Sequence, residues 1–349
     1  MSVDLISKCS WKGLMDGDSD RTLDVLYTGT VTCLECSPYS YCDSLMCFAS
    51  YVSSSAPEPT YRLTIAKLHP KREGDKILEV VKEYLQEKPT TCLSWSPKTF
   101  IESLPYDVVL CAGDLDGRIC MIRTDTSDNS EIEIIGSHKK TVNAVAFDHE
   151  SGDLLVSVGD DCKCIVWNLL DGGKHCELPL SSSGIDAKFH QNDSTKLAVV
   201  QISGLILLYD IPSMTVFMSL ESLSSDITKS FDWPLCDFTR VDSISSSEWH
   251  TFDTSNSCVP IATRSLQEID GAINCALEIR VSPANPKFVA IASQKRVTVL
   301  ARTENADEVM VTHCVTRRTG SGISWHSSEP LLVCGGDGRL TFVRLEDAS

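Results

Sequence analysis

The chain has 349 residues, 42% hydrophobic and 23% charged, which is typical of a globular protein. Its formal net charge of −17 argues against direct binding to nucleic acid or to an anionic membrane, because both require a basic surface. The first residues lack the apolar core of a signal peptide, and no apolar run has the length of a membrane helix. We therefore expect no membrane insertion and a location in the cytosol or nucleus.

The cysteines do not group as a disulfide framework or a metal site. Cys33 and Cys36 form a CxxC pair, but no second Cys or His pair stands near them at ligand spacing. The other cysteines occupy mainly strand positions, where a free thiol serves as a small buried hydrophobe. We predict no metal and no cofactor. The strand cysteines in question are Cys33, Cys47, Cys92, Cys111, Cys164 and Cys334.

A strand pattern recurs along the chain. Alternating apolar residues run into an aromatic residue or Cys and then into a turn, as in VTCLECSP and VNAVAFDH. The starts lie near positions 31, 90, 142, 184, 230, 275 and 321, roughly 40–60 residues apart, close to the ~40–45 of a four-stranded blade. Hairpin turns at Asp116-Gly117 and Asp337-Gly338 join the next two strands in the repeats that contain them, since Gly accepts a positive φ.

The repeats predict an all-β fold with a single seven-bladed WD-repeat β-propeller over residues 21–349, preceded by a flexible lead over residues 1–20. Residues 22–26 are expected to supply the outer strand of the last blade. Residues 53–60, a Ser/Pro loop, and residues 220–267, which are Ser-rich and weakly periodic, depart from the pattern. Such stretches are either recognition elements or solvated connectors.

The best-formed repeat spans residues 136–168. His138, Ser157 and Asp161 suggest a catalytic triad, but Ser157 lies in the middle of an apolar strand without a glycine elbow. WD-repeat proteins use these positions, together with a Trp, as a buried structural hydrogen-bond chain. This resemblance implies that Asp161, His138, Ser157 and Trp167 form such a chain, and we favour it over catalysis.

Other motifs give no enzymatic assignment. The sequence has no P-loop, no GxGxxG after a strand and no HExxH, so we expect neither an enzyme nor a small-molecule substrate. Trp11 and Trp249 lie in irregular stretches and are candidates for partner contact. Arg118 and Arg339 follow the two Asp-Gly turns at equivalent places. They either contact a partner or are solvated turn residues.

Four stretches together resemble one family. Residues 321–343, SGISWHSSEPLLVCGGDGRLTFV, and residues 135–168 are similar to two blades of the thirty-seven-kilodalton WD-repeat nucleoporin family of the nuclear pore Y complex. Residues 219–233, SLESLSSDITKSFDW, and residues 95–105, WSPKTFIESLP, are similar to two of its junctions. Residues 53–60 and 258–269 depart from the family pattern.

The resemblance implies a non-enzymatic subunit of the outer-ring scaffold at the nuclear envelope. Such a subunit docks as a rigid propeller on a large hundred-and-sixty-kilodalton-type scaffold nucleoporin and meets other Y-complex subunits. It supports pore assembly and the transport of mRNA and protein, and vertebrate members also join kinetochores in mitosis. The alternative is a WD-repeat adaptor of another complex, either a substrate receptor of a ubiquitin ligase or a chromatin-associated reader.

Overall fold

The computed structural model describes residues 12–13, 21–53, 59–69, 77–103, 105–125, 130–222, 226–234, 239–271, 273, 275–302, 309–316 and 319–345. The described residues form 27 strands with one short 3₁₀ helix, Ser40–Cys42, and one short α-helix, α1, Leu266–Ile269. Within them, no helix is both long and apolar enough to cross a membrane. The chain divides into two compact units, Met1–Thr90 with Arg280–Ser349, and Thr91–Ile279.

The strands follow one another at short intervals, and their bounds are as follows. The first thirteen are β1 Lys12–Gly13, β2 Arg21–Cys36, β3 Leu45–Val52, β4 Thr60–Leu68, β5 Leu78–Gln86, β6 Thr90–Trp95, β7 Val108–Asp114, β8 Arg118–Thr124, β9 Ser130–Ser137, β10 Val142–Phe147, β11 Leu154–Gly159, β12 Lys163–Asn168 and β13 Gly173–Pro179. The rest are β14 Gly184–His190, β15 Asp193–Gln201, β16 Leu205–Asp210, β17 Thr215–Glu221, β18 Thr228–Asp232, β19 Arg240–Ser245, β20 Glu248–Asp253, β21 Ala262–Ser265, β22 Ala276–Val281, β23 Phe288–Ser293, β24 Arg296–Arg302, β25 Val309–Thr316, β26 Thr319–Trp325 and β27 Leu331–Arg344.

The described strands form six sheets, and each sheet is one blade of a β-propeller. Five sheets contain four strands in chain order: β6 to β9, β10 to β13, β14 to β17, β18 to β21 and β22 to β25. The sixth contains seven strands in the order β26-β27-β2-β3-β4-β5, with β1 added to β2. The prediction of seven separate blades is therefore wrong, although the all-β assignment is right.

Two long strands explain the lower count. Strand β2 has 16 residues: residues 21–26 pair with β27, and residues 30–36 pair with β3. Strand β27 has 14 residues and pairs with β26 before residue 337 and with β2 from there onward. The stretches predicted to be the first and last blades thus belong to one hydrogen-bonded sheet. Within this unit, the expected pairing of residues 22–26 with the last strand is confirmed.

The core of the Thr91–Ile279 unit lies between its sheets. One face of the β10–β13 sheet presents Val156, Val158 and Val166 to Phe189 and other residues of the β14–β17 sheet. Its other face packs against the β6–β9 sheet in a cluster that includes Leu155, Ile165 and Trp167. Because both faces are buried, the central strands are almost continuously apolar rather than alternating.

Most outer strands carry a β-bulge. The register shifts in the pairs β4–β5, β8–β9, β12–β13, β16–β17 and β24–β25, each time against the last strand of its sheet. A bulge twists an edge strand and interrupts its backbone ladder, which disfavours edge-to-edge aggregation. The remaining outer strand of the Thr91–Ile279 unit, β21, has only four residues, and a short edge serves the same purpose.

The weakly periodic stretch 220–267 contains an ordinary sheet. Strands β18 to β21 pair antiparallel in chain order. Several of its inward positions hold polar residues, among them Asp242, Ser243, His250 and Thr251, all at most 3% exposed. These buried polar residues removed the period-2 apolar pattern on which the sequence analysis relied.

Candidate functional site

The polar residues of the central repeat converge inside the β10–β13 sheet. Ser157 is at the middle of β11, where it faces Val145 of β10 and Ile165 of β12. Trp167 lies one strand further on and pairs with Leu155. Asp161 lies in the tight turn between β11 and β12, and His138 lies just before β10. The two hairpins therefore bring His138 and Trp167, which are 29 positions apart in the sequence, into the same group of contacting side chains.

Three hydrogen bonds join the four side chains into one chain. His138 Nδ1 lies 2.8 Å from Asp161 Oδ1, and His138 Nε2 lies 2.8 Å from Ser157 Oγ. Trp167 Nε1 donates to Ser157 Oγ at 2.9 Å. The structure thus brings together all four residues that the sequence analysis grouped.

The donors and acceptors fit a neutral imidazole. The N–H at Nδ1 of His138 donates to the Asp161 carboxylate, which leaves Nε2 as an acceptor for the Ser157 hydroxyl. Ser157 then accepts from the Trp167 indole, so each buried polar atom of the chain has a partner. A fully satisfied network of this kind fixes one arrangement of the sheet.

Asp161 is anchored from two sides. Its second carboxylate oxygen accepts from the Lys139 backbone N–H at 3.0 Å. Burial alone raises the pKa of this carboxyl, but the hydrogen bonds from Lys139 and His138 and the charge of Lys163 outweigh burial. The pKa of Asp161 is therefore lower than its ordinary value, and the side chain is ionised at neutral pH.

Two glycines leave space for the side chains of this hydrogen-bond chain. A Cβ on Gly136 would lie 2.2 Å from the Trp167 ring, and one on Gly159 would lie 2.6 Å from the Thr141 carbonyl and 3.1 Å from the His138 ring. Distances below 3 Å are not tolerated without movement of the neighbour.

The arrangement has the connectivity of a catalytic triad but not its access. Ser157 is 0% exposed, and its Oγ already accepts a hydrogen bond from the Trp167 indole N–H. A nucleophilic serine must reach a bound substrate and needs a preformed set of oxyanion donors beside it. Ser157 lies on β11 between β10 and β12 and is closed to solvent, so it does not reach a bound substrate.

Asp160, the neighbour of Asp161 in the turn between β11 and β12, has different hydrogen-bond partners from Asp161. Its Oδ1 accepts from Asn143 Nδ2 at 2.8 Å and from Ser183 Oγ at 2.6 Å. Asn143 Nδ2 also lies 2.8 Å from the Gly184 carbonyl, at the start of β14. The adjacent carboxylates thus diverge: Asp161 braces its own sheet, and Asp160 ties that sheet to the next one.

A second buried network was not found from sequence. In the β18–β21 sheet, Asp242 Oδ1 accepts from Trp249 Nε1 at 2.9 Å and from Thr251 Oγ1 at 2.8 Å. The guanidinium of Arg264 lies 5.1 Å from the centre of the Trp249 ring and donates to Thr251 at 3.3 Å. Trp249 is 0% exposed. This burial does not fit the expected anchor for a partner, because the indole is enclosed by its own sheet.

The other predicted residues lie at turns or outside the described residues. Gly117, at φ +95°, donates its N–H to the Asp114 carbonyl, and Arg118 donates its N–H to the Asp114 side chain. Asp116, just before Gly117, is exposed. Trp11 lies outside the described residues.

Strand β27 continues through Asp337 and Gly338, where the second hairpin turn was predicted. Asp337 is exposed, and Gly338 has φ +72°. Arg339 Nη1 lies 3.8 Å from Asp24 Oδ2, an ion pair within the first unit.

The described residues contain no group of three or more His, Cys, Asp or Glu side chains placed to hold a metal ion. The cysteines among them are thiols and not disulfides, and burial raises the pKa of Cys36 to about 12. A thiol with such a pKa stays protonated and unreactive at neutral pH.

Comparisons with known proteins agree with this geometry. A model of the WD domain, G-beta repeat, matches residues 129–168, the stretch that contains the buried chain. Over a short stretch, an uncharacterized WD repeat-containing protein of Schizosaccharomyces pombe is 40% identical over 58 residues, or 16% of this chain and 15% of the relative.

Longer similarities point to a single protein. Nucleoporin Nup37 of Homo sapiens is 29% identical over 257 residues, covering 72% of this chain and 75% of the human protein. Nucleoporin Nup37 of Drosophila melanogaster is 25% identical over 262 residues, covering 75% of this chain and 78% of the fly protein. The chain is therefore similar to nucleoporin Nup37 over about three quarters of its length, and the WD repeat and the propeller sheets fit this similarity.

Proposed function

We propose that this chain is a non-enzymatic structural subunit of the nuclear pore outer-ring scaffold and docks as a rigid propeller on a large scaffold nucleoporin. The observation that carries the proposal is its similarity to nucleoporin Nup37 of human, mouse and fly over about three quarters of the chain. Through this docking it would support pore assembly and the transport of mRNA and protein.

The buried chain of the central repeat supports a structural role. Its four side chains satisfy one another, and Ser157 is closed to solvent. A preformed, hydrogen-bonded scaffold orders little of its chain when it binds, so more of the contact energy remains as affinity. The polar side chains that resemble a catalytic triad therefore contribute to the rigidity of the subunit.

The formal net charge of −17 supports a protein partner rather than nucleic acid. The kinetochore location that the family resemblance implied is not part of this proposal, since nothing in the names of the relatives refers to it. The WD repeat is also consistent with the adaptor alternative, but the long similarity to Nup37 favours the nucleoporin proposal.

The proposal is tested by tagging the full chain at its own locus, imaging it in interphase cells and purifying it under mild conditions. We expect a nuclear rim and stoichiometric recovery of the large scaffold nucleoporin. A diffuse cytosolic signal without that partner would overturn the proposal. Recovery of a ubiquitin ligase or of histones instead would establish the adaptor alternative.

A further inference from the structure

Sulphur-containing side chains from two neighbouring sheets meet in the core between them. Cys164 lies on β12 and Cys176 on β13 of one sheet, and Met214 lies in the turn that joins β16 and β17 of the next sheet. All three belong to, or pack against, the apolar cluster between these sheets. The Cys176 thiol donates to the Met214 thioether, with 3.3 Å between the two sulphur atoms. We call Cys164, Cys176 and Met214 the sulphur cluster.

The strand register places the second thiol beside the first. Cys164 pairs with Leu178, and Val166 pairs with Cys176, so the two cysteines are diagonal neighbours on one face of the sheet. Diagonal neighbours have Cβ atoms about 7 Å apart or less, so two thiols that turn toward each other are able to share one ion. Burial raises the pKa of the Tyr209 phenol to about 12, and the nearness of both cysteines adds to this shift.

The backbone at Met214 is strained. Its φ of +54° lies in the left-handed region, where glycine is favoured and a side chain is disfavoured. Its N–H donates to the Ile211 carbonyl at 3.2 Å, which fixes the turn. A glycine would relieve the strain but would remove the thioether from Cys176. Strained backbone positions that a fold retains concentrate at sites that bind ligands.

Two thiols and one thioether form a soft ligand set. Thioether sulphur selects Cu(I), whereas magnesium, calcium and manganese ions prefer oxygen ligands. A structural zinc site uses four Cys, His or carboxylate ligands, and the sulphur cluster supplies only two of that kind. This set is also distinct from the groups of three His, Cys, Asp or Glu side chains that the described residues lack.

Burial favours a singly charged ion. Cys164 is 0% exposed, and burial raises the pKa of its thiol far above the ordinary value, so it stays protonated. When Cu(I) binds, the Cys176 S–H bond breaks, its proton leaves to solvent and an S–Cu bond forms. One positive charge replaces another, so the core gains no net charge. Cys176 and Met214 are half-buried, which gives the ion a route from solvent.

We propose that the sulphur cluster binds one Cu(I) ion, with the Cys176 thiolate and the Met214 thioether as primary ligands and Cys164 as the third donor. The bound ion would link β13 to the turn between β16 and β17 and so tie two neighbouring sheets together. This inference goes beyond the proposed function and does not depend on it.

The test titrates the full chain with Cu(I) against a chromogenic Cu(I) chelator, without oxygen. Met214→Leu keeps the apolar volume and removes the thioether, and Cys176→Ser removes the thiolate. Each change should weaken the Kd of the most tightly bound equivalent by about tenfold or more, as the loss of a group at a metal site does. Cys258→Ser is the matched control, because Cys258 is an exposed thiol of the same unit, and its Kd should stay unchanged.

Thermal unfolding gives a second measurement. An ion that binds only the folded chain raises the Tm, and the two cluster variants should lose this rise. Unfolding without copper verifies that they are folded, and Met214→Leu decides the outcome if Cys176→Ser does not fold.

Three results would overturn the proposal. If Met214→Leu binds Cu(I) as tightly as the natural chain, the protein takes up an adventitious ion only and the sulphur contact is ordinary packing. An equal loss in the Cys258→Ser control would mean that the ion is held elsewhere. An equal rise in Tm with zinc would show that the site does not select Cu(I).

Discussion

The imidazole of His138 and the hydroxyl of Ser157 lie 2.8 Å apart, Nε2 to Oγ, in the interior of a four-stranded sheet. His138 also contacts Asp161, and Ser157 also contacts Trp167, so this one bond links the turn at one end of the sheet to its third strand.

Replacing Asp161 by Ala should destabilise the protein without removing an activity. The change leaves the His138 ring and the Lys139 backbone N–H without their acceptor, and we expect a loss of about 1–3 kcal/mol in the free energy of unfolding. Urea denaturation measures it, with Asp171→Ala, in an exposed turn of the same sheet, as the control. If the Asp161 variant were as stable as the natural protein, the hydrogen bonds of Asp161 would not stabilise the sheet.

Substituting Gly136 by Ala should be far more costly than substituting Gly173. The new methyl group at position 136 would overlap the Trp167 ring, whereas the nearest atom to a Cβ at position 173 is 3.9 Å away. Overpacking of this kind costs about 1–3 kcal/mol, and a surface change costs within about 0.5 kcal/mol. Thermal and urea unfolding of both variants test the difference. Similar values for the two would mean that the indole moves aside freely.

Stability should fall at acid pH partly through Asp148. This buried carboxylate accepts from the Ser151 N–H at 2.7 Å and the Leu154 N–H at 2.8 Å. Burial raises its pKa, but the hydrogen bonds from Leu154, Ser151 and Gly152 prevail and lower it below the ordinary value. Because the folded pKa is the lower one, the contribution is present above the unfolded value of about 3.9 and is lost as pH falls through the folded pKa.

Asp148→Asn tests this pH dependence. The amide cannot titrate, so the variant should be less stable than the natural chain at neutral pH. It should also lose less stability than the natural chain as the pH falls below about 4, the pKa of an Asp side chain in the unfolded state. Urea denaturation across that range gives the two curves. Parallel curves would show that Asp148 does not contribute to the acid transition.

Replacing Trp249 by Phe should lower stability and leave partner binding intact. The indole N–H that Asp242 accepts is lost, so this buried carboxylate keeps fewer donors, at a cost of about 1–3 kcal/mol. Calorimetry with the scaffold nucleoporin accompanies the unfolding measurement. A folded variant that no longer binds would show that Trp249 acts on the partner after all.

The local sequence determined the antiparallel hairpins, the tight turns and the polar group of the central repeat. Alternation, turn residues and the order His138, Ser157, Asp161 and Trp167 are all contained within about 30 consecutive residues, close to one repeat length. The three bonds among these side chains require only that neighbouring hairpins form. The similarity to Nup37 was likewise detectable in residue order alone.

The tertiary structure decided features that depend on distant pairing and burial. Only strand pairing between the two ends of the chain shows that β2 and β27 belong to one sheet, which makes six sheets where the repeats predicted seven. The network of Asp242 and Trp249 interrupts the apolar alternation, so the pattern there resembled a loop. Burial between packed sheets, which no local pattern encodes, turned Trp249 from an expected surface anchor into a core residue.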